Sequence, residues 1–222
     1  MSQRFRVRLM DEGGEVFEAA ASHPFLKELH TGVLPRAKFA FYIRQDYVYL
    51  KEFIKVLCVA GAKAGDLSVT KMFAEHVLFG IEVERAHHPP LAQRLGVSVR
   101  ELEETKPTPL TKAYVSHLKA VAYEGSFAEL VAAVLPCYWV YKAIGERYAE
   151  PPSPDPVYAD WLGTYASEGF RKTVDELLDV VDGAADEASE PERRRMVQNF
   201  VTSCRYEYLF WDQAYNLKEW PV

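Results

Sequence analysis

Residues 36–64 read RAKFAFYIRQDYVYLKEFIKVLCVAGAKA, a run that contains no proline and no glycine before Gly61. Apolar residues recur at every third or fourth position, which is the period of a helix with one buried face. Pro35 precedes the run and suits the first turn of a helix. A helix of this length spans about 43 Å. We therefore expect a bundle of helices.

The rest of the chain has the same helical period, and the alternation typical of strands is nearly absent, so we predict an all-α fold. The length of 222 residues suits one domain, residues 1–222, with about eight helices around one core. Asp66 and the Ser98–Glu101 capping-box pattern mark two helix starts. The segments 150–155 and 182–190 are expected to be surface loops. The other predicted helices end near Ser22 and Thr31 or cover about 66–85, 91–95, 110–123, 126–149, 156–165, 167–182 and 191–215.

The stretch Leu135-Pro136-Cys137-Tyr138-Trp139-Val140-Tyr141 places a cysteine inside the long apolar helix 126–149. Proline costs roughly 3 kcal/mol in a helix interior, so Pro136 predicts a break or kink just before Cys137. Cys137 and Tyr141 lie one turn apart on the same face. A thiol and a phenol can therefore face one cavity, although a buried cysteine in an aromatic core fits the same pattern.

Two carboxylates interrupt apolar, aromatic faces. Asp46 shares a helix face with Tyr49, and Glu207 lies one turn before Trp211. A buried carboxylate is costly unless it is paired, and burial of Glu207 would raise the pKa of its carboxyl group and suit a general acid. An ordinary ion pair is the alternative, with Arg44 or another base at the surface for Asp46 and with an internal arginine for Glu207.

Glu84 and His88 have the i, i+4 spacing that could hold a metal ion. Di-iron bundles repeat a Glu-x-x-His motif on a second helix, and no second motif occurs in this sequence. We therefore predict no metal site.

The formal net charge is −6, and no basic face or helix-turn-helix pattern is visible, so nucleic acid is not an expected partner. No apolar run is expected to approach the roughly 18 residues of a membrane span, because charged residues between 51 and 63 interrupt what looks like the best one. The N-terminus lacks the apolar region of a signal peptide. Three widely spaced cysteines indicate free thiols in a reducing compartment, and we predict a cytoplasmic protein. They are Cys58, Cys137 and Cys204.

Five blocks of residues occur in a definite order along the chain, namely 45–50, 82–88, 135–141 with Gly145-Glu146, 161–165 and 206–212. Together they resemble the TenA family, the thiaminase II enzymes, in the subgroup with a cysteine in the Leu-Pro-Cys block. The resemblance covers about residues 20 to 221 and implies a haem-oxygenase-like helical fold, commonly a homotetramer, without metal, haem or other cofactor.

The resemblance also implies an activity, the hydrolysis of thiamin or of 4-amino-5-aminomethyl-2-methylpyrimidine to 4-amino-5-hydroxymethyl-2-methylpyrimidine, in thiamin salvage. It assigns Cys137 as nucleophile and Glu207 as acid/base. The sequence leaves open whether thiazolium or ammonia is the preferred leaving group. An oxidase of the same fold, cofactorless or di-iron, and a non-enzymatic regulatory protein are the alternatives. The residues that the resemblance places around the pyrimidine are Asp46, Tyr49, Tyr114, Tyr141, Tyr165 and Phe210.

Overall fold

A computed structural model describes residues 4–222, apart from the side chain of Glu84. Within this range it contains twelve α-helices, one π-helical segment and no strand, which confirms the all-α prediction and corrects the expected number of about eight helices. The elements are α1 Phe5–Ala21, α2 Pro24–Thr31, α3 Arg36–Lys63, α4 Leu67–Glu82, the π-helical segment Val83–His87, α5 His88–Arg94, α6 Val99–Glu104, α7 Pro109–Glu124, α8 Phe127–Val134, α9 Pro136–Tyr148, α10 Pro156–Ala166, α11 Glu168–Glu187 and α12 Glu190–Tyr215.

Local capping interactions set several helix ends. The Asp66 carboxylate accepts a hydrogen bond from the Ser68 N–H at 2.6 Å, and Ser98 and Glu101 form a complete capping box, as the sequence predicts. α2 ends at Gly32, whose φ of 77° lies in the left-handed region. A Cβ at this position would also lie 2.6 Å from the Cγ of Pro154, so glycine is required twice over.

Two predicted boundaries are wrong. Pro89 and Pro90 do not end a helix but lie in the first turn of α5, where the missing N–H groups cost little. The predicted loop 182–190 is helical as far as Glu187, because Val181 and Ala185 extend the buried face of α11 beyond Asp182.

The helical stretch Phe127–Tyr148 comprises α8 and α9, which are separated at Leu135, just before Pro136, where a break was predicted. It is long and apolar enough to cross a membrane. The prediction that no run approaches this length is therefore wrong. The window that meets the criterion is 67% buried inside the protein, which is the setting of a core helix. A helix that is mostly buried needs little polar surface, and this accounts for its composition.

The helices form two compact units, one from the chain up to Leu34 with Gly125–Asp212, the other from Pro35–Glu124 with Gln213–Val222. In the first unit, α9 packs against α1, α2, α8, α10 and α11. In the second, α3 packs against α4, α5 and α7. The expectation that residues 1–222 form one domain stays a prediction.

Candidate functional site

The first unit contains an aromatic cluster made of Tyr141, Trp161, Tyr165 and Trp211, which come from α9, α10 and α12. The ring of Tyr141 lies 4.8 Å from that of Tyr165 and 5.5 Å from that of Trp211, measured between centroids. Trp161 contacts Tyr165 edge-on at 4.9 Å. Aromatic faces assembled in this way can hold a planar ring. The structure thus brings together Tyr141 and Tyr165, two of the predicted substrate-binding residues.

Cys137 lies one turn before Tyr141, in the first turn of α9. Its side chain is partly exposed, so the thiol is not enclosed in the core. Pro136 has no N–H to donate, and the carbonyl of Leu135 accepts from the N–H of Trp139 at 2.9 Å, which starts α9 directly after the break. Burial, and to a smaller extent the neighbouring Cys137, raises the pKa of the Tyr138 phenol. The Tyr138 hydroxyl therefore stays protonated near neutral pH.

Glu207 lies on α12, one turn before Trp211, and only 2% of the residue is exposed. Burial, and then the negative charge of Glu207, raises the pKa of the fully buried Cys204 thiol. Phe210, also predicted to bind substrate, is buried on the same helix. Arg205 is exposed and so lies on a different face from Glu207, as expected from their adjacent positions.

Gly145 brings α9 against the end of α10. A Cβ at Gly145 would lie 2.3 Å from both the carbonyl carbon and the carbonyl oxygen of Tyr165, and 2.6 Å from the N of Ala166. No side chain fits at these distances, so glycine is what allows the Tyr165 backbone to approach α9 and its ring to reach Tyr141. The sequence placed Gly145 in a family block but did not indicate this contact.

Three predicted site residues lie in the second unit. The rings of Tyr49 and Tyr114, both buried, are 4.9 Å apart. Asp46 accepts a hydrogen bond on Oδ2 from His88 Nε2 at 3.1 Å. Its partner is therefore His88, a buried residue, rather than Arg44 or another base at the surface. Positions 46 and 88 are too far apart in the chain for spacing to reveal this pair.

His88 is thus bonded to a carboxylate from α3, while the side chain of Glu84, with which it was compared as a metal ligand, lies outside the described residues. Elsewhere in residues 4–222, no group of three or more His, Cys, Asp or Glu side chains could hold a metal ion.

His23, the residue before α2, was not among the site residues predicted from the sequence. Its Nδ1 accepts from the Phe25 N–H at 3.1 Å, and its ring lies edge-on to that of Tyr208 at 4.9 Å. Desolvation lowers the pKa of His23 to about 4, against a smaller opposing effect of Asp212. The imidazole is therefore neutral at pH 7.

An open cleft of about 420 Å³ in the second unit contains none of the predicted site residues. The buried amide of Gln45 borders it and is hydrogen bonded at both ends, to the Lys106 carbonyl at 3.1 Å and the Thr108 N–H at 3.0 Å. This amide anchors the loop before α7 to α3. Gln45 therefore has a structural role at the border of this cleft.

The helical architecture is the haem-oxygenase-like fold. A domain of unknown function with that fold from Shewanella denitrificans is similar with a TM-score of 0.73 at 15% identity, covering 95% of this chain and 92% of that one. A TenA homologue from P. horikoshii is similar with a TM-score of 0.88 at 27% identity, covering 96% of this chain and 99% of that one.

The family model TENA/THI-4/PQQC matches residues 14–217, and the chain belongs to this family. The aminopyrimidine aminohydrolase of Bacillus subtilis (strain 168) is 37% identical over 217 residues, which is 98% of this chain and 92% of that protein. The fold class and the family predicted from the sequence are both confirmed.

Proposed function

We propose that this protein is an aminopyrimidine aminohydrolase, a thiaminase II, that acts in thiamin salvage. It hydrolyses 4-amino-5-aminomethyl-2-methylpyrimidine, thiamin or both to 4-amino-5-hydroxymethyl-2-methylpyrimidine. The observation that carries the proposal is the 37% identity, over 98% of this chain, to a protein named for that activity.

The residues suit an aminopyrimidine. Its ring is planar, and the aromatic cluster with Phe210 offers faces of the required size. Its exocyclic amine is a hydrogen-bond donor, and the Asp46 carboxylate is an acceptor. Tyr49 and Tyr114 supply an aromatic surface on the unit that carries Asp46.

In the proposed mechanism, Cys137 adds to ring carbon C6 as its thiol proton passes, by way of Glu207, to a ring nitrogen. The electron pair of the adduct then expels the substituent on the exocyclic methylene, as thiazole from thiamin or as ammonia from the protonated aminomethyl group. Water adds to this methylene and loses a proton to leave the hydroxymethyl group. The ring nitrogen then gives up its proton as the C6–S bond breaks, and the sulfur leaves as the thiol. We assign Glu207, which is buried on α12, as the proton carrier, because a negative charge at the site would not favour a standing thiolate on Cys137.

The test compares thiamin with the aminomethyl pyrimidine, using wild type, Cys137→Ala and Cys58→Ala. We expect Cys137→Ala to lower kcat by at least about 10³-fold, because the covalent route is lost. Cys58→Ala is the matched control, since Cys58 is exposed on α3 and should leave kcat unchanged. If wild type turns over neither substrate, or Cys137→Ala keeps full activity, the proposal fails.

We also propose a cytoplasmic homotetramer. The free thiols of Cys58, Cys137 and Cys204 suit a reducing compartment. Helix α4 supplies an apolar outer seam for a second copy of this chain, because Leu67, Leu78 and Ile81 are exposed on one side of it. With Ala74 they follow the heptad spacing of paired helices. Lys71 lies on the same side of α4, and its ammonium is ion paired to Glu75 at 2.5 Å within the helix, so its charge is already matched.

A further inference from the structure

Asp46 and His88 form a closely packed pair inside the second unit. The His88 side chain is 6% exposed and that of Asp46 is 16% exposed, with His88 Nε2 and Asp46 Oδ2 3.1 Å apart. Tyr47 packs edge-on against the imidazole at 5.9 Å between ring centroids. Because a carboxylate only accepts, Nε2 carries the hydrogen in this bond.

The position of His88 depends on the π-helical segment Val83–His87. The His88 N–H donates to the Val83 carbonyl five residues earlier, which closes the wider π turn. One extra residue in a turn rotates every later side chain by about 100° relative to an uninterrupted α-helix. Pro89 and Pro90 then start α5 and keep His88 at its first residue. The local irregularity therefore directs this histidine toward α3.

An aspartate needs such an anchor to present an oxygen in one direction. The torsion that rotates an aspartate carboxylate is broad, with no sharply preferred angle. A hydrogen bond from a buried imidazole to Oδ2 selects one orientation, and Oδ1 can then accept from another donor. The same arrangement of histidine and carboxylate orients ligands in metal sites, where its loss is costly.

Building on the proposed function, we propose that His88 is a positioning residue for the aminopyrimidine. Its Nε2–H holds Asp46 so that Oδ1 meets the exocyclic amine of the substrate. His88 does not itself contact the reacting atoms. Its removal therefore weakens substrate binding more than it slows the chemical step.

The test measures KM and kcat for the aminomethyl pyrimidine with His88→Leu and His88→Gln. Leucine removes the donor, and we expect KM to rise about 10-fold or more with a smaller change in kcat. Glutamine places an amide N–H close to the position of Nε2, and we expect it to restore KM to within about 3-fold of wild type. His87→Leu, the same change at the exposed neighbouring residue, is the control and should leave both constants unchanged.

A double-mutant cycle with Asp46→Ala separates positioning from a general structural effect. If His88 acts through Asp46, His88→Leu has little further effect on KM once Asp46 is alanine. If the two changes multiply, or if His88→Gln is as impaired as His88→Leu while melting like wild type, the inference is wrong. A wild type that is inactive on both substrates would overturn the proposed function. An active wild type whose His88 variants give either of the results above would overturn only the role of His88, so the two failures are distinguishable.

Discussion

The three cysteines occupy three different environments. Cys58 is exposed, Cys137 is partly exposed and Cys204 is fully buried. A thiol reacts as the thiolate, so access and pKa together decide which cysteine can act as a nucleophile. Cys204 lacks access, and burial together with Glu207 raises the pKa of its thiol. Its residue type alone could not separate it from Cys137.

Labelling with a thiol reagent at pH 7.5 should therefore modify Cys58 and Cys137 in the folded protein and leave Cys204 intact. Unfolding in denaturant should make Cys204 reactive, because its protection comes from packing. Mass spectrometry of the digested protein identifies each modified cysteine. Rapid labelling of Cys204 in the folded state would contradict the buried environment described for it.

His23 should make the protein less stable in mild acid. The pKa of its imidazole is about 4 in the folded state and 6.5 ordinarily, so the unfolded chain binds more protons between these values. The stabilisation is complete above about pH 6.5 and is lost as the pH falls toward 4. We expect this residue to contribute about 2 kcal/mol to the change in unfolding free energy over that range.

Urea unfolding of His23→Asn at pH 4.5 and pH 7 checks this. Asparagine keeps an acceptor for the Phe25 N–H at the start of α2 but does not titrate. The variant should lose less stability on acidification than wild type, whereas the exposed control His87→Asn should lose as much. Equal losses in wild type and His23→Asn would show that His23 is not the group responsible.

At the scale of helices, α9 and α10 depend on one glycine contact. Gly145 lies where the backbone of Tyr165 passes too close for any side chain, while a Cβ at Gly163, on α10, would meet nothing within 4 Å. Both glycines lie inside helices, so the sequence treats them alike. Only the packing of the two helices distinguishes them.

Gly145→Ala should destabilise the protein by about 1–3 kcal/mol, because the end of α10 must move away from α9. It should also lower activity, since Tyr165 moves with it. Gly163→Ala should instead stabilise by about 0.5–1 kcal/mol, because alanine favours a helix and space is available. Thermal unfolding and kcat/KM measured on both variants test the contrast, and equal effects on stability would refute it.

In the folded protein, α4 is an apolar helix whose outer side is not covered by any other part of residues 4–222. Phe73 and Gly80 are its buried residues, while Leu67 is 85% exposed and Leu78 is 66% exposed. Exposed apolar side chains on one side of a helix usually mark an interaction surface. We expect a second copy of the chain to cover this one.

Leu78→Glu should therefore shift the protein toward smaller assemblies, because a charge would have to be buried between copies. Tyr123→Glu is the control, since Tyr123 is similarly exposed but lies on α7. Analytical ultracentrifugation gives the mass of each variant in solution. If Leu78→Glu has the same mass in solution as wild type, α4 is not the interface.

Features that depend on neighbours a few residues apart could be predicted from the sequence. The helical period, the Asp66 and Ser98 caps and the break at Pro136 belong to this class, because hydrogen bonds and side-chain contacts within a helix join residues three or four apart. The predicted end at Pro89–Pro90 failed because proline breaks one helix and begins another equally well. The boundary at Asp182 failed because burial of Val181 and Ala185, rather than composition, extends α11.

The family and the fold class could also be predicted from the sequence, because five blocks of residues indicate the family and the helical period indicates an all-α fold. Only the tertiary structure decided that Asp46 pairs with His88 and that Gly145 accommodates Tyr165. Such contacts join residues tens of positions apart, and the chain between them places no limit on which side chains meet. Packing of whole helices decides this, and in the case of His88 one π-helical turn determines the direction of the side chain.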